Sequence, residues 1–377
     1  MKRPKPSKRT SKVGRRDFIK MGAAGTLGIA AAAPSAIAAA QASASRSAQP
    51  WNVPQRAMSQ PFSIDTHCHW APKAYMAALM EAGDRRVYDP LNYDLERRIK
   101  WMDQRGMQTL VLTLNGGMPW QWVKPEQGVR IAAICNDAAI EAHKAFPDRL
   151  IAGIEVYAAD GDLALKELNR VAGKPGLRAV HLPNSLAGRE FLFEPAFSPF
   201  LARCEELGYP LIFHPLDEAV NYYGGNSRLA DSFSESANFG NALGFPFETA
   251  TTAGKFIVSG ILDKFPKLEI VLPHSGGCFP YVAGRVDRSV TGRKVKLQHP
   301  FMDYVRRFHY DTLTYYPETL RFLIELAGAD RVVIGTDNAF GATQPMEYPH
   351  TLVDQLNLAQ ADRERILRGN AAKLFRL

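Results

Sequence analysis

From residue 62 onward, short apolar runs alternate with longer stretches whose apolar positions recur every three to four residues. The runs fall at residues 63–66, 109–114, 150–156, 179–182, 210–213, 268–272, 308–312 and 332–335. Several are short and continuously apolar, the pattern of parallel strands buried on both faces. Helical periodicity lies between them, for example over 94–105, 128–146, 163–171, 196–207, 247–264, 317–327 and 355–368. Eight strands with intervening helices predict one α/β domain, a (β/α)8 TIM barrel over residues 61–377, with no second domain of comparable size. Residues 85–93 and 217–246 are long connections. The second is rich in Gly, Asn and Ser, and both are expected to loop over the barrel mouth.

The first 60 residues have a different composition. A basic, proline-containing start leads to Gly14-Arg15-Arg16-Asp17-Phe18-Ile19-Lys20, then a weakly apolar Ala/Gly run, then small residues around Ala36–Ala40. That is the layout of a secretory signal, and the paired arginines resemble a twin-arginine export signal, with Gly14 and Ile19 as departures. Residues 1–40 are therefore expected to be a signal peptide and 41–60 a linker. The implied partner is the twin-arginine export machinery, and the implied location is periplasmic or secreted. An uncleaved leader acting as a membrane anchor is the alternative.

Charge follows the same division. The chain carries +8 overall, and residues 1–40 hold nine basic side chains against one acid. The remaining 37 basic and 37 acidic residues balance, so the body gives no electrostatic reason to bind nucleic acid. The four cysteines, Cys68, Cys135, Cys204 and Cys278, are widely spaced and form no metal-type pair. A body of this size needs no disulfide framework, so buried free thiols are expected.

The chemistry gathers at the ends of the predicted strands. Strand one ends in His67-Cys68-His69, two imidazoles one residue apart and so on one side of an extended chain. Strand four carries His181, with Asn184 beyond it. Strand five ends in Phe213-His214-Pro215, strand six in His274-Ser275-Gly276-Gly277 and strand eight in Gly335-Thr336-Asp337. In a barrel these ends converge on one mouth. Three imidazoles and a carboxylate form an N/O donor set for one divalent ion, Zn²⁺ first, with Mn, Fe and Co as other fits.

Together these motifs resemble the amidohydrolase superfamily, and within it the branch of aminocarboxymuconate-semialdehyde, resorcylate and carboxyvanillate decarboxylases. The resemblance rests on Ile64-Asp65-Thr66-His67-Cys68-His69, Phe213-His214-Pro215, the run from His274 to Arg285, and Ile334-Gly335-Thr336-Asp337. It implies a barrel of the metal-dependent hydrolase type, with His67, His69, His214 and Asp337 as ligands of one metal. His274 and Asp337 would handle protons. Other readings of these two are a structural hydrogen bond for His274 and a cap for Asp337. Strand four has no lysine near its end, so one metal is expected rather than two. Arg285 resembles an arginine that in some relatives crosses a dimer interface to a substrate carboxylate, which implies a homodimer; a surface ion pair is its other reading. Arg86 matches a second carboxylate-binding arginine less closely. His181 and Trp120, the latter with Trp122, are candidates for substrate contact or for barrel and rim packing. Asp65 shares strand parity with the two histidines and is expected to support them from below. The implied reaction is non-oxidative decarboxylation of an aromatic or unsaturated carboxylic acid. The alternatives are hydrolysis of a lactone, ester or amide, and a non-catalytic binding protein.

Overall fold

A computed structural model describes residues 62–216, 240–293, 295–338, 346 and 348–377. The expected leader and linker, and most of the 217–246 connection, lie outside the described residues.

Eight strands form one parallel sheet in sequence order: β1 Ser63–His69, β2 Met107–Thr113, β3 Leu150–Glu155, β4 Leu177–Pro183, β5 Leu211–His214, β6 Ile270–Leu272, β7 Phe308–Asp311 and β8 Val332–Val333. The first and last strands meet through parallel bridges between Asp65 and Ile334 and between Cys68 and Asn338. The sheet is thus a (β/α)8 barrel with no free edge at this seam.

The interior is layered. Ile64, Val111, Ile151, Ala179, Ile212, Val271 and Val333 form an apolar floor, closed from below by Leu374 and Phe375 of the C-terminal helix. A larger apolar layer outside the strands receives the surrounding helices. Polar strand ends therefore stand on a dry, packed base rather than over a pore.

The helices are α1 Lys73–Glu81, α2 Leu95–Arg105, α3 Pro125–Ala145, α4 Gly161–Val171, α5 Ser198–Leu207, α6 Phe245–Val258, α7 Phe279–Gly292 and α8 Pro317–Ala327, with shorter turns between. Local chemistry sets their ends. The Asp94 carboxylate accepts the Arg97 N–H at the start of α2, and Gly106 ends that helix with φ of 69°. Two of the expected helices are divided. Residues 247–264 break at Gly260, whose φ of 74° suits glycine, into α6 and the short helix Ile261–Lys264. Residues 355–368 contain only Gln360–Glu364 and the start of a wide turn, Arg365–Gly369. Among the described residues, no helix is long and apolar enough to cross a membrane.

One irregularity positions the chemistry. On β1, Asp65 pairs with Leu110 and Cys68 with Leu112, so β1 carries one extra residue. Plain alternation from the floor residue Ile64 would turn Thr66 and Cys68 inward. The bulge reverses the parity, so Cys68 packs in the outer layer and the histidines face the mouth. The strand parity expected of Asp65 with the histidines is lost for the same reason, and its support reaches the site through the backbone. Its carboxylate ties β1 to β8, accepting from the Thr336 N–H (3.1 Å), the Thr336 hydroxyl (2.6 Å) and the His67 N–H (3.1 Å).

Candidate metal centre

Ligand atoms of His67, His69, His214 and Asp337 lie within 4.8 Å of one another, although they come from three strand ends spread along the chain. The ring centroids of His69 and His214 are 4.7 Å apart, and those of His67 and His69 are 5.1 Å apart. Asp337 Oδ1 lies 2.8 Å from His69 Nε2 and 3.5 Å from His67 Nε2. Asp337 has φ of 54°, a conformation uncommon for a residue with a side chain.

The residues fit a divalent ion, because each ring is anchored through its other nitrogen. His67 Nδ1 lies 2.8 Å from Asp311 Oδ2, His69 Nδ1 lies 3.2 Å from the Leu114 carbonyl, and His214 Nδ1 lies 2.7 Å from the Pro215 carbonyl. An acceptor at Nδ1 fixes the proton there and leaves the Nε2 lone pair for a metal. His67 Nε2 is buried with no hydrogen-bond partner, as expected of a donor atom whose partner is an ion.

His274 stands beside this set without joining it. Its ring centroid is 5.1 Å from that of His67, and its Nε2 is 3.9 Å from Asp337 Oδ2. Phe245 stacks near it, with centroids 6.1 Å apart and planes at 28°. His274 and Ser275 both have positive φ, 51° and 57°.

What holds that strained turn is Asp311, a residue with no sequence motif to announce it. Its carboxylate accepts from the backbone N–H groups of His274 (2.9 Å), Ser275 (2.7 Å) and Leu313 (3.1 Å), as well as bonding His67. Consecutive N–H groups in such a turn make an anion cradle. Asp311 thus links the ligand His67 to the neighbouring His274. The available signal was its place at the end of a barrel strand. Glu155, at the end of β3, was missed in the same way; its Oε1 lies 2.8 Å from His181 Nδ1.

The remaining candidates are placed as follows. His181 is buried in the barrel against Glu155. Trp120 is buried and Trp122 is partly exposed. Arg86 is bound to Asp84 through Nε (2.8 Å) and Nη2, and to the Gly117 carbonyl (2.7 Å). Arg285 lies exposed on α7, lining a groove with Phe247, Val282 and Val286. All four cysteines are free; three are buried and Cys278 is half-buried.

Electrostatics set the protonation states. Burial pushes His69 down, and burial with the neighbouring rings pushes His214 well down. Burial, helped by His67, pushes His274 to about 4. These rings are neutral at ordinary pH, the state that ligation and proton acceptance both require. For His67, burial opposes the charge, but the hydrogen bond to Asp311 and the charges of Asp337 and Asp311 outweigh it and raise the ring. Asp337 is held well below the usual carboxylate range: burial works against its charge, and the His69 hydrogen bond with the surrounding imidazoles overrides it.

A buried three-histidine, one-carboxylate cluster at the mouth of a (β/α)8 barrel defines a mononuclear metal-dependent enzyme class. The family profile for amidohydrolases matches residues 64–377, and the chain belongs to that family. It is an enzyme of the amidohydrolase superfamily, a metal-dependent carboxy-lyase or hydrolase. A gamma-resorcylate decarboxylase from Rhizobium sp. is 30% identical over 297 residues, covering 75% of this chain and 87% of that one. A 2-amino-3-carboxymuconate-6-semialdehyde decarboxylase from Dictyostelium discoideum is 25% identical over 320 residues, 84% of each chain. The solved structure of a dihydroxybenzoic acid decarboxylase from Polaromonas sp., with bound manganese and the inhibitor 2-nitroresorcinol, superposes with a TM-score of 0.69 at 25% identity. It covers 84% of this chain and 98% of that one.

Proposed function

We propose that the protein is an exported, mononuclear metal-dependent decarboxylase that removes CO2 non-oxidatively from an aromatic or unsaturated carboxylic acid. The observation that carries this reading is the complete ligand set with an unliganded His274 beside it, in a chain whose relatives are named as decarboxylases of such acids. A bound Zn²⁺ or Mn²⁺ would act as a Lewis acid on the substrate's oxygens. The chain's own residues do the rest. As the carbon–carboxylate bond breaks, CO2 leaves and the electron pair stays on the carbon. A proton from solvent then passes through the His274 and Asp337 pair to that carbon. Neutral His274, 3.9 Å from Asp337, is placed to relay it. Hydrolysis of a lactone, ester or amide needs the same groups, but no relative reported above is named for it. A non-catalytic binding protein has no reason to keep the full set.

In this reading the chain works as a homodimer, with Arg285 of one protomer orienting the substrate carboxylate of its partner. Arg86, His181 and Trp120 contact the substrate within the chain. Export through the twin-arginine machinery carries the folded, metal-loaded protein to the periplasm, which suits a cofactor taken up before translocation. The direct test incubates the metal-loaded enzyme with a panel of hydroxybenzoates and lactones and follows CO2 against acid release. CO2 release from a hydroxybenzoate is expected; acid release from a lactone with no CO2 from any acid would refute the reading.

A further inference from the structure

On the β2–β4 side of the ligand cluster lies a second polar group that the proton relay does not use. Glu155 and His181 are register partners across β3 and β4, 2% and 1% exposed. His181 Nδ1 lies 2.8 Å from Glu155 Oε1. That oxygen also accepts the Leu114 N–H at 3.3 Å, and the Leu114 carbonyl takes Nδ1 of the metal ligand His69 at 3.2 Å. The pair is therefore linked to the metal ligand His69 through one residue, Leu114.

Both members carry a polar atom with no partner among the described residues, His181 Nε2 and Glu155 Oε2. Asn115 Nδ2, just past β2, and Asn184 Oδ1, just past β4, are likewise buried and unpartnered. Buried polar atoms are costly to leave unpaired, and native folds rarely do so. Four of them lie at three adjacent strand ends beside the ligand cluster. His181 and Glu155 satisfy each other through Nδ1 and Oε1, which leaves Nε2 and Oε2 for a further polar group.

We propose that the His181–Glu155 pair is a hydroxyl-recognition subsite of the active site. With Nδ1–H donating to Glu155, the His181 ring presents Nε2 as an acceptor. It accepts a hydrogen bond from a ring hydroxyl of the substrate that does not bind the metal. The Glu155 carboxylate repels the substrate's own carboxylate, so the acid end is turned toward the metal and the hydroxyl end toward β3 and β4. The subsite thus selects hydroxylated arenecarboxylates and sets their orientation. This proposal rests on the decarboxylase reading above.

The test is equilibrium binding of two unreactive ligands that differ by one hydroxyl, 2-nitroresorcinol and 2-nitrophenol, at verified metal content. The variants are His181→Asn and His181→Gln. Asparagine places its amide near the Nδ1 position and keeps the Glu155 contact, whereas glutamine reaches the Nε2 position. Wild-type protein is expected to prefer 2-nitroresorcinol by about tenfold or more, the ordinary worth of one buried hydrogen bond. His181→Asn is expected to lose that preference while binding 2-nitrophenol within about twofold of wild type, and His181→Gln to retain part of it. A merely structural role predicts the reverse order, with Asn better than Gln, or equal weakening for both ligands; either result overturns the proposal. A wild-type protein that binds both ligands equally, or a His181→Asn protein that keeps the preference, also overturns it and leaves the decarboxylase reading intact. A metal-loaded wild type that binds neither ligand also overturns this proposal, while the decarboxylase reading is decided separately by CO2 release.

Discussion

Replacing Asp311 with asparagine tests how the metal centre is held. The wild-type carboxylate accepts four hydrogen bonds, two at Oδ2 from His67 Nδ1 and the His274 N–H, and two at Oδ1 from the Ser275 and Leu313 N–H groups. An amide keeps one acceptor oxygen. If that oxygen serves Ser275 and Leu313, the NH2 faces the other pair. His67 can then bond only by accepting at Nδ1, which moves its proton to Nε2 and blocks the lone pair aimed at the metal. A single wrong tautomer of this kind can disable a site whose geometry is intact. Groups that orient a ligating histidine typically change metal affinity by roughly 10–100-fold when mutated, and that weakening is the expectation here. The His274 N–H then faces the NH2 and loses its bond to a charged acceptor, so unfolding should become easier by about 1.5–3 kcal/mol. Metal affinity is read by competition with a chromophoric chelator, stability by denaturant unfolding of the metal-free protein, and tautomer by ¹⁵N chemical shifts of His67. An Asp311→Asn protein with wild-type metal affinity and the proton still on Nδ1 would refute the reasoning.

Other outcomes follow from the same geometry. His214→Ala should lose most of the bound metal, whereas His274→Ala should keep it and lose turnover by about 10²–10⁴-fold; elemental analysis beside rate measurement separates them, and normal turnover in His274→Ala would remove it from the proton relay. Gly335→Ala would set a Cβ 2.8 Å from Asp311 Cβ and 3.0 Å from His67 Cβ, so it should weaken metal binding more than a surface Gly254→Ala, which meets nothing within 4 Å. Equal affinities in those two variants would argue against the tight fit. At the floor of the barrel, burial raises Glu269 but its bond to His309 and the charges of His309, Arg331 and Arg307 lower it further, for a net depression. A depressed carboxylate stabilises the fold above its unfolded pKa, and the effect disappears as pH falls through the folded value. Glu269→Gln should therefore lower the melting temperature near neutral pH and have little effect at about pH 3; an equal shift at both would show that its charge is not the cause.

The barrel and the four ligands were legible in the sequence for a local reason. Strand ends in a (β/α)8 fold converge whatever their separation along the chain, so His67-Cys68-His69, His214 and Asp337 could each be recognised where they stood. Local patterns did not reach everything. Alternation alone placed Asp65 with the histidines, and only the paired register of β1 and β2 revealed the extra residue that turns His67 and His69 inward. Asp311 and Glu155 are lone acids ending ordinary strands, and nothing in their neighbours marks them. Their importance comes from partners far away in the chain, His67 for one and His181 for the other. A ligand's identity is a property of a short segment, so sequence carries it. The groups that fix each ring's proton and hold the turn at His274 are chosen by contacts between strands, and those exist only once the barrel has closed.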